Sequence, residues 1–341
     1  DHGRGALATA SFRGTAPSHT QVTWNGININ SPMLGMVDFS LIPAFLIDDL
    51  SLKHGSSSIS ESSGGLGGSI AIRNLPDWNK RLSIKYYQGA GSFFTHDEFG
   101  QIDFGSFKFQ SKTRLFNSYS RNDYEYVNKA VIERPLVKNE NAEYLRRGVM
   151  QEFYYRPDLK NIISVKAWGQ ISNRSLPSVM SYEGDDQSNL NNQDDKTLKV
   201  ALEWSNYQDK LNLNVRSGVD YQNLGYTMMN RIGGVGLVPA INSISSMLSI
   251  YNHIKAEYSV NERLALHSSF DYNFYDVMTY ESVKETGYDT VRNDMSLHGG
   301  VFYSPSDKID LSLVLREDFT GGEFSPLIYK AGINYVPLNN K

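Results

Sequence analysis

From Leu82 onward, apolar and polar residues alternate with a period of two. Leu198, Val200, Leu202 and Trp204 are interleaved with Lys199, Ala201, Glu203 and Ser205, and Leu211, Leu213 and Val215 with Asn212, Asn214 and Arg216. Such alternation puts one apolar and one polar face on an extended strand. The same pattern runs through Ile250, Ile254, Ala256 and Tyr258, and through Leu264, Leu266, Phe270, Tyr272 and Phe274. Twelve antiparallel strands are predicted, at 81–89, 93–104, 107–120, 147–156, 161–172, 196–207, 210–222, 246–259, 262–275, 293–304, 308–317 and 327–336. Many exceed the globular mode of about 5 to 6 residues. After a short first hairpin near Gly91, tight turns at Gly105-Ser106, Pro157-Asp158, Gln208-Asp209, Asn261 and Pro305-Ser306-Asp307 interleave with longer loops near 121–146, 173–195, 223–245, 276–292 and 318–326. Short turns at one rim and long loops at the other are the signature of a membrane barrel. A soluble sandwich or propeller would have shorter strands and no such alternation of connections.

Residues 11–72 read differently, as short apolar strands punctuated by glycine. Asn25-Gly26 is the pair preferred for a two-residue hairpin with positive φ. The run Gly64-Gly65-Leu66-Gly67-Gly68 would let backbones approach where side chains would meet the barrel wall. It lacks the Lys-Ser or Lys-Thr end of a phosphate loop. Residues 42–50 carry the one helical signal, a short turn with Pro43 at its start.

Composition narrows the classes. The 341 residues contain no cysteine, which removes disulfides, thiolate metal sites and a cysteine nucleophile. Lys and Arg are dispersed in a chain of formal charge −4, so no nucleic-acid partner is expected. No stretch has the roughly 18 apolar residues of a membrane helix. The mean hydropathy of −0.41 is compatible with a barrel, because each strand turns one polar face to the lumen. Asp1-His2-Gly3 lacks the basic start and apolar core of a leader, so the sequence is expected to begin within mature protein.

With this stretch set before twelve amphipathic strands, the chain resembles a TonB-dependent outer-membrane receptor, of a Bacteroidetes cobalamin or siderophore type. Phe12-Arg13-Gly14 is similar to the family's apolar-Arg-Gly step, and residues 22–32 to its strand, Asn-Gly turn and strand. Val37-Asp38, Leu41-Ile42-Pro43 and residues 47–52 resemble the segment leading to an Arg-Gly-Pro loop, which reads His54-Gly55-Ser56 here. Residues 63–72 resemble the glycine-rich strand that ends the plug. The resemblance implies an all-β fold: an antiparallel transmembrane β-barrel, about twelve of 22 strands, behind an N-terminal α+β plug incomplete at its start. The expected domains are a plug at 1–76 and a barrel at 77–341. The chain is then expected to be a fragment, with the TonB-contact segment (the TonB box) lying before Asp1. Arg13, Gly14, Asn25, Gly26, Gly55, Gly64, Gly65, Gly67 and Gly68 are the expected structural residues of the plug.

The implied function is uptake rather than catalysis. The expected cargo is a scarce bulky nutrient: cobalamin first, then a ferric siderophore or haem, then an oligosaccharide. A passive surface barrel or adhesin is the alternative of another class. The expected cargo contacts at the plug apex are Ser31, Pro32, Met33, Leu34, Met36, Ser57, Ser58, Ile59 and Ser60, the methionines offering polarizable contacts or filling the plug core. From the external loops they are Tyr124, Tyr126, Arg174, Tyr182, Tyr226, Met228 and Met229, where tyrosines would equally form an interfacial girdle. Glu183, Asp185, Asp186, Asp194 and Asp195 place five carboxylates in one loop, either a solvated acidic loop or a calcium site. No cofactor is required. His253, His267 and His298 are expected as polar lumen residues. Besides TonB and the nutrient, outer-membrane lipid and a capping surface lipoprotein are the partners implied.

Overall fold

The computed structural model describes residues 5–54, 67–130, 132–177, 191–232 and 234–337. Its N-terminal part forms a four-stranded sheet of β1 (Thr20–Trp24), β2 (Ile27–Asn28), β3 (Asp49–His54) and β4 (Gly68–Arg73), in the order β2-β1-β4-β3. Strand β1 pairs antiparallel with β2 across the Asn25-Gly26 turn and parallel with β4. Both turn residues have positive φ, 49° and 85°, as the hairpin signal predicts. Among the described residues, helical structure here is confined to three 3-10 turns, Pro17–His19, Phe39–Leu41 and Ala44–Leu46, the last preceded by Pro43.

The glycine run corrects one expectation. A Cβ on Gly67 would lie 2.5 Å from Thr15 Oγ1, and one on Gly68 2.6 Å from the Lys53 carbonyl. For Gly67 and Gly68 the close approach is therefore within the plug itself, where Gly68 also has φ +153°, and not against the barrel wall; Gly64 and Gly65 lie outside the described residues.

A single large antiparallel sheet follows: β5 (Leu82–Gly91), β6 (Thr95–Gly105), β7 (Phe109–Ser120), then a small hairpin of β8 (Glu125–Val127) and β9 (Leu136–Lys138). It continues with β10 (Tyr144–Tyr155), β11 (Asn161–Ser175), β12 (Asn192–Tyr207), β13 (Leu211–Ile232), β14 (Gly236–Asn261), β15 (Leu264–Glu281), β16 (Thr286–Ser306), β17 (Ile309–Thr320), the short β18 (Glu323–Phe324) and β19 (Ile328–Tyr335). Every predicted strand has a counterpart. The predicted long loops at 223–245 and 276–292 are largely strand, however: Tyr226 pairs with Ser243 and Thr279 with Tyr288, and the ladders run on to short turns.

The alternation has a direct structural consequence. On β7, Gln110, Lys112, Arg114, Phe116, Ser118 and Ser120 are buried, while Leu115 between them is 56% exposed. Leu198, Leu202, Leu266, Phe270, Leu297 and Leu313 also lie on the outside. An apolar belt around a polar interior is the arrangement that lipid stabilises. His253, His267 and His298 share the inward register, and His253 Nδ1 lies 2.7 Å from Asp271 Oδ1.

The plug sits against this inner wall. Val22, Trp24, Ile27, Ile29, Val37, Leu46, Ile70 and Ile72 form one buried cluster with Phe99, Phe116, Met150, Trp168, Ala201, Tyr251 and Tyr275 of the barrel. Trp24 meets Trp168 edge-on at 5.8 Å, and Phe45 stacks on Phe99 at 5.0 Å.

Candidate functional site

The plug's outward loop is built by asparagine. Asn30 donates to the carbonyls of Thr20 and Gly35, each at 2.9 Å, and accepts from the Val22 N–H at 2.8 Å. Its side chain thereby replaces backbone pairing that the turn at 31–36 lacks. Gly35, with φ +71°, closes the loop by donating to the Ser31 carbonyl. Ser31 Oγ donates to Met247 Sδ at 3.4 Å, and Thr279 Oγ1 to Met33 Sδ at 3.7 Å, so the loop rests on β14 and β15.

Beside this loop lies a cavity of about 300 Å³. Leu34, Met36 and Ile29 line it from the plug, and Trp168, Leu224 and Met247 from the barrel. Its polar groups come from inward positions of the strands: Gln170, Arg174, Gln193, Asp195, Thr197, Lys199 and Gln222. The two cations are held. Arg174 Nη1 lies 2.9 Å from Asp38 Oδ2 and 3.1 Å from the Gly5 carbonyl, and Lys199 Nζ lies 2.6 Å from Asp220 Oδ1. Asp38 also accepts from the N–H groups of Ala8 and Ser40, so one carboxylate joins the N-terminal segment, a 3-10 turn and the barrel.

On the other side of the plug a second cavity, about 500 Å³, is lined by charge: Lys166, Glu203, Arg216, His253 and Lys255. Lys166 donates to Asn25 Oδ1 at 3.1 Å, at the tip of the hairpin. Asn74 holds that tip by accepting from Trp24 Nε1 and Asn25 Nδ2 and donating to the Leu46 carbonyl. Near this end Asp48 is the plug's ionic anchor. Arg114 Nη2 reaches both its carboxylate oxygens, at 2.8 and 2.7 Å, and Lys112 Nζ lies at 3.4 Å. Arg114 Nε lies 3.0 Å from Glu152 Oε1, an ion-pair contact without hydrogen-bond alignment, and Tyr154 donates to the other Glu152 oxygen at 2.6 Å. Burial opposes ionisation of Asp48, but the Arg114 charge and hydrogen bond, the Leu75 N–H and Lys112 outweigh it and hold the carboxyl below its usual range.

The predicted site residues divide accordingly. Ser31, Leu34, Met36 and Arg174 come together at the outer cavity, while Met33 contacts Thr279 on the barrel wall. Arg174 lies on β11 rather than in a loop. Tyr226 and Met228 have inward register on β13 and Met229 faces the other way; none of the three lines the cavity. Tyr124 packs on Tyr126 and on Phe93, and neither tyrosine lines the cavity. Asp194 and Asp195 are neighbours on β12 and so point to opposite faces; Asp194 accepts from Asn173 and Asp195 from Gln193. Gly55, Ser57, Ser58, Ile59, Ser60, Gly64, Gly65, Tyr182, Glu183, Asp185 and Asp186 lie outside the described residues. Sequence reasoning missed Trp168, Gln170, Thr197, Gln222 and Met247, whose signal was the polar or bulky inward position of an alternating strand.

Residues 1–69 match the family model described as TonB-dependent Receptor Plug Domain. A 74-residue stretch is 35% identical to the vitamin B12 transporter BtuB of Vibrio vulnificus (strain YJ016), covering 22% of this chain and 12% of that protein. Among solved structures the fold is similar to the siderophore receptor PirA of Acinetobacter baumannii (TM-score 0.72, 12% identity, 96% of this chain and 53% of that one). It is also similar to the copper transporter OprC (0.68, 16%, 96% and 54%) and to the FrpB iron transporter of Neisseria meningitidis, F3-3 variant (0.71, 12%, 94% and 56%). The chain thus spans about half the length of the solved structures it matches. With a segment that matches the plug model over residues 1–69 seated inside an antiparallel wall whose outer face is apolar, the chain has the plug-and-barrel fold of the TonB-dependent receptors of the bacterial outer membrane.

Proposed function

We propose that the whole protein is an active transporter that imports a scarce, bulky nutrient, with energy supplied through TonB, and that its cargo is cobalamin. The observation that supports transport is the plug itself: a body hydrogen-bonded and ion-paired to the wall, with a recess of about 300 Å³ beside its outward loop. Cargo resting on Leu34, Met36 and Met247 would touch plug and barrel together. Its binding energy could therefore act on the contacts that hold the plug. The choice of cobalamin is supported by the similarity to the vitamin B12 transporter. A ferric siderophore or haem is the second reading, favoured by the folds of the siderophore and iron transporters.

The test is growth of a deletion strain on limiting cobalamin, ferric siderophore or haem supplied singly, with and without functional TonB. Cobalamin-limited growth should fail in the deletion strain and return with the intact gene only when TonB is present. Rescue on the iron sources instead would overturn the cargo, and rescue without TonB would leave a passive barrel.

A further inference from the structure

We infer that the outer surface of the barrel carries a binding site for a phosphorylated, multiply acylated glycolipid of the outer leaflet. This rests on the outer-membrane placement of the wall and not on the identity of the cargo. The site is a groove of about 1230 Å³ on the lipid-facing side of strands β5 to β13. Its floor is a row in cross-strand register. Tyr86 pairs with Gly100 and Gly100 with Leu115; further along, Gly169 pairs with Leu198 and Leu198 with Tyr221. The two tyrosines, 68% and 41% exposed, bracket a hollow whose depth comes from the glycines. A Cβ on Gly100 would meet nothing within 4 Å, and one on Gly169 would only reach Leu198 Cδ1 at 4.0 Å. The protein's own packing therefore does not require glycine at either position. What glycine leaves at each position is open space in an apolar floor, with Leu115 and Val149 standing between the two.

One row closer to the outer rim the chemistry changes. Asn117 pairs with Arg147, Arg147 with Ile171, and Ile171 with Lys196. Arg147 and Lys196 are exposed, and neither has an ion-pair or hydrogen-bond partner among the described residues. They stand two strands apart, about 10 Å, a span that one phosphorylated headgroup can bridge. The carboxylates near this row are both engaged: Glu98 accepts from Asn117 at 3.3 Å, and Asp194 from Asn173 at 2.6 Å. Cations above an apolar trough match an anionic lipid headgroup above its acyl chains. The tight turns lie at the opposite ends of these strands, which puts the cations at the outer leaflet and selects its glycolipid over the phospholipids of the inner one.

The test uses the full-length receptor, stripped of lipid in detergent, with native mass spectrometry as the readout. The probes are a bis-phosphorylated hexa-acyl lipid A, the same lipid with both phosphates removed, and phosphatidylethanolamine. Wild type should retain one lipid A with a preference of about tenfold over its dephosphorylated form. R147A/K196A should lose that preference, and G169L should reduce retention of the phosphorylated and dephosphorylated forms alike. Unchanged heat-modifiable migration on gels shows that both variants hold folded barrels. Equal retention of all three lipids, or an undiminished preference in R147A/K196A, would mean annular lipid only and overturn the site. A protein found on the groove in place of lipid would overturn it as well.

Discussion

The two cavities flanking the plug share one lumen but differ in chemistry. The outer one presents Leu34, Met36, Trp168 and Met247, with its cations neutralised by Asp38 and Asp220. The inner one presents Lys166 and Arg216 sharing Glu203, at 3.7 and 3.4 Å, a charge cluster that water must solvate. The buried apolar cluster around Trp24 separates them. The plug is therefore asymmetric: its outward side opens on a partly apolar recess, and its inward side on a charged one beside the Asp48–Arg114 ion pair.

The largest expected effect breaks the inward side. Arg114→Ala would leave Asp48 and the fully buried Glu152 without their common cation. Removing one partner of a buried pair costs about 3 to 5 kcal/mol. Urea unfolding followed by the fluorescence of Trp24 and Trp168 should show the plug releasing at lower denaturant while the barrel transition stays in place. Arg174→Ala should cost less, because Asp38 keeps its bonds from Ala8 and Ser40. Equal losses for the two variants would dissolve the distinction between the sides.

The outward side is tested by cargo binding. Met247→Asp puts an unpaired charge against the Ser31 loop in the outer cavity and should weaken cargo affinity by about tenfold to a hundredfold. Ser205→Ala in the inner cavity should leave it unchanged. Titration of the purified receptor with each candidate cargo reads both, and a loss from Ser205→Ala with none from Met247→Asp would place the guest on the wrong side of the plug.

How far these features could be read from sequence depends on what surrounds each residue. Every long strand was legible, since lipid on one side and lumen on the other enforce alternation between residues such as Leu198 and Lys199. Beyond the lipid that constraint disappears: residues near Tyr226 and Thr279 meet water on both faces, so their pairing leaves no pattern. That Ser31, Leu34 and Met36 lie together in one outward loop was legible through the plug resemblance, their proposed contact with cargo being a separate matter for the titrations. Trp168 and Met247 were not, because inward register does not say which inward residues stand level with the plug. The Asp48–Arg114–Glu152 anchor joins positions up to 104 residues apart and had no local signal at all.

Acid provides a graded version of the inward test. The Asp48 carboxyl titrates below its unfolded value of about 3.9. Its contribution to plug stability is therefore complete above that value and is lost as pH falls through the lower folded one. Plug unfolding midpoints attributable to this anchor should hold steady from neutrality to about pH 4 and fall below it. Asp48→Asn should be less stable at neutral pH and lose this acid step; a step of wild-type size in the variant would assign it to another carboxylate.

The smallest effect comes from the hairpin tip. Gly26 has φ +85°, and a Cβ there would lie 2.1 Å from Arg216 Nη1. That atom ends a flexible side chain, so the arginine can swing aside, and the cost of Gly26→Ala reduces to left-handed backbone strain of about 1 kcal/mol. Gly218 provides the contrast on the facing wall. A Cβ there would meet Ile27 Cγ2 at 2.3 Å and the Val200 carbonyl at 3.1 Å, neither of which can swing clear. Gly218→Ala should accordingly cost more than Gly26→Ala in the same plug unfolding experiment, about 1 to 3 kcal/mol. The reverse order would mean that the hairpin is held by its turn geometry, with Ile27 resting only loosely on the barrel. A tightly seated Ile27 belongs to the buried cluster around Trp24 that keeps the charged inner cavity from the partly apolar outer one.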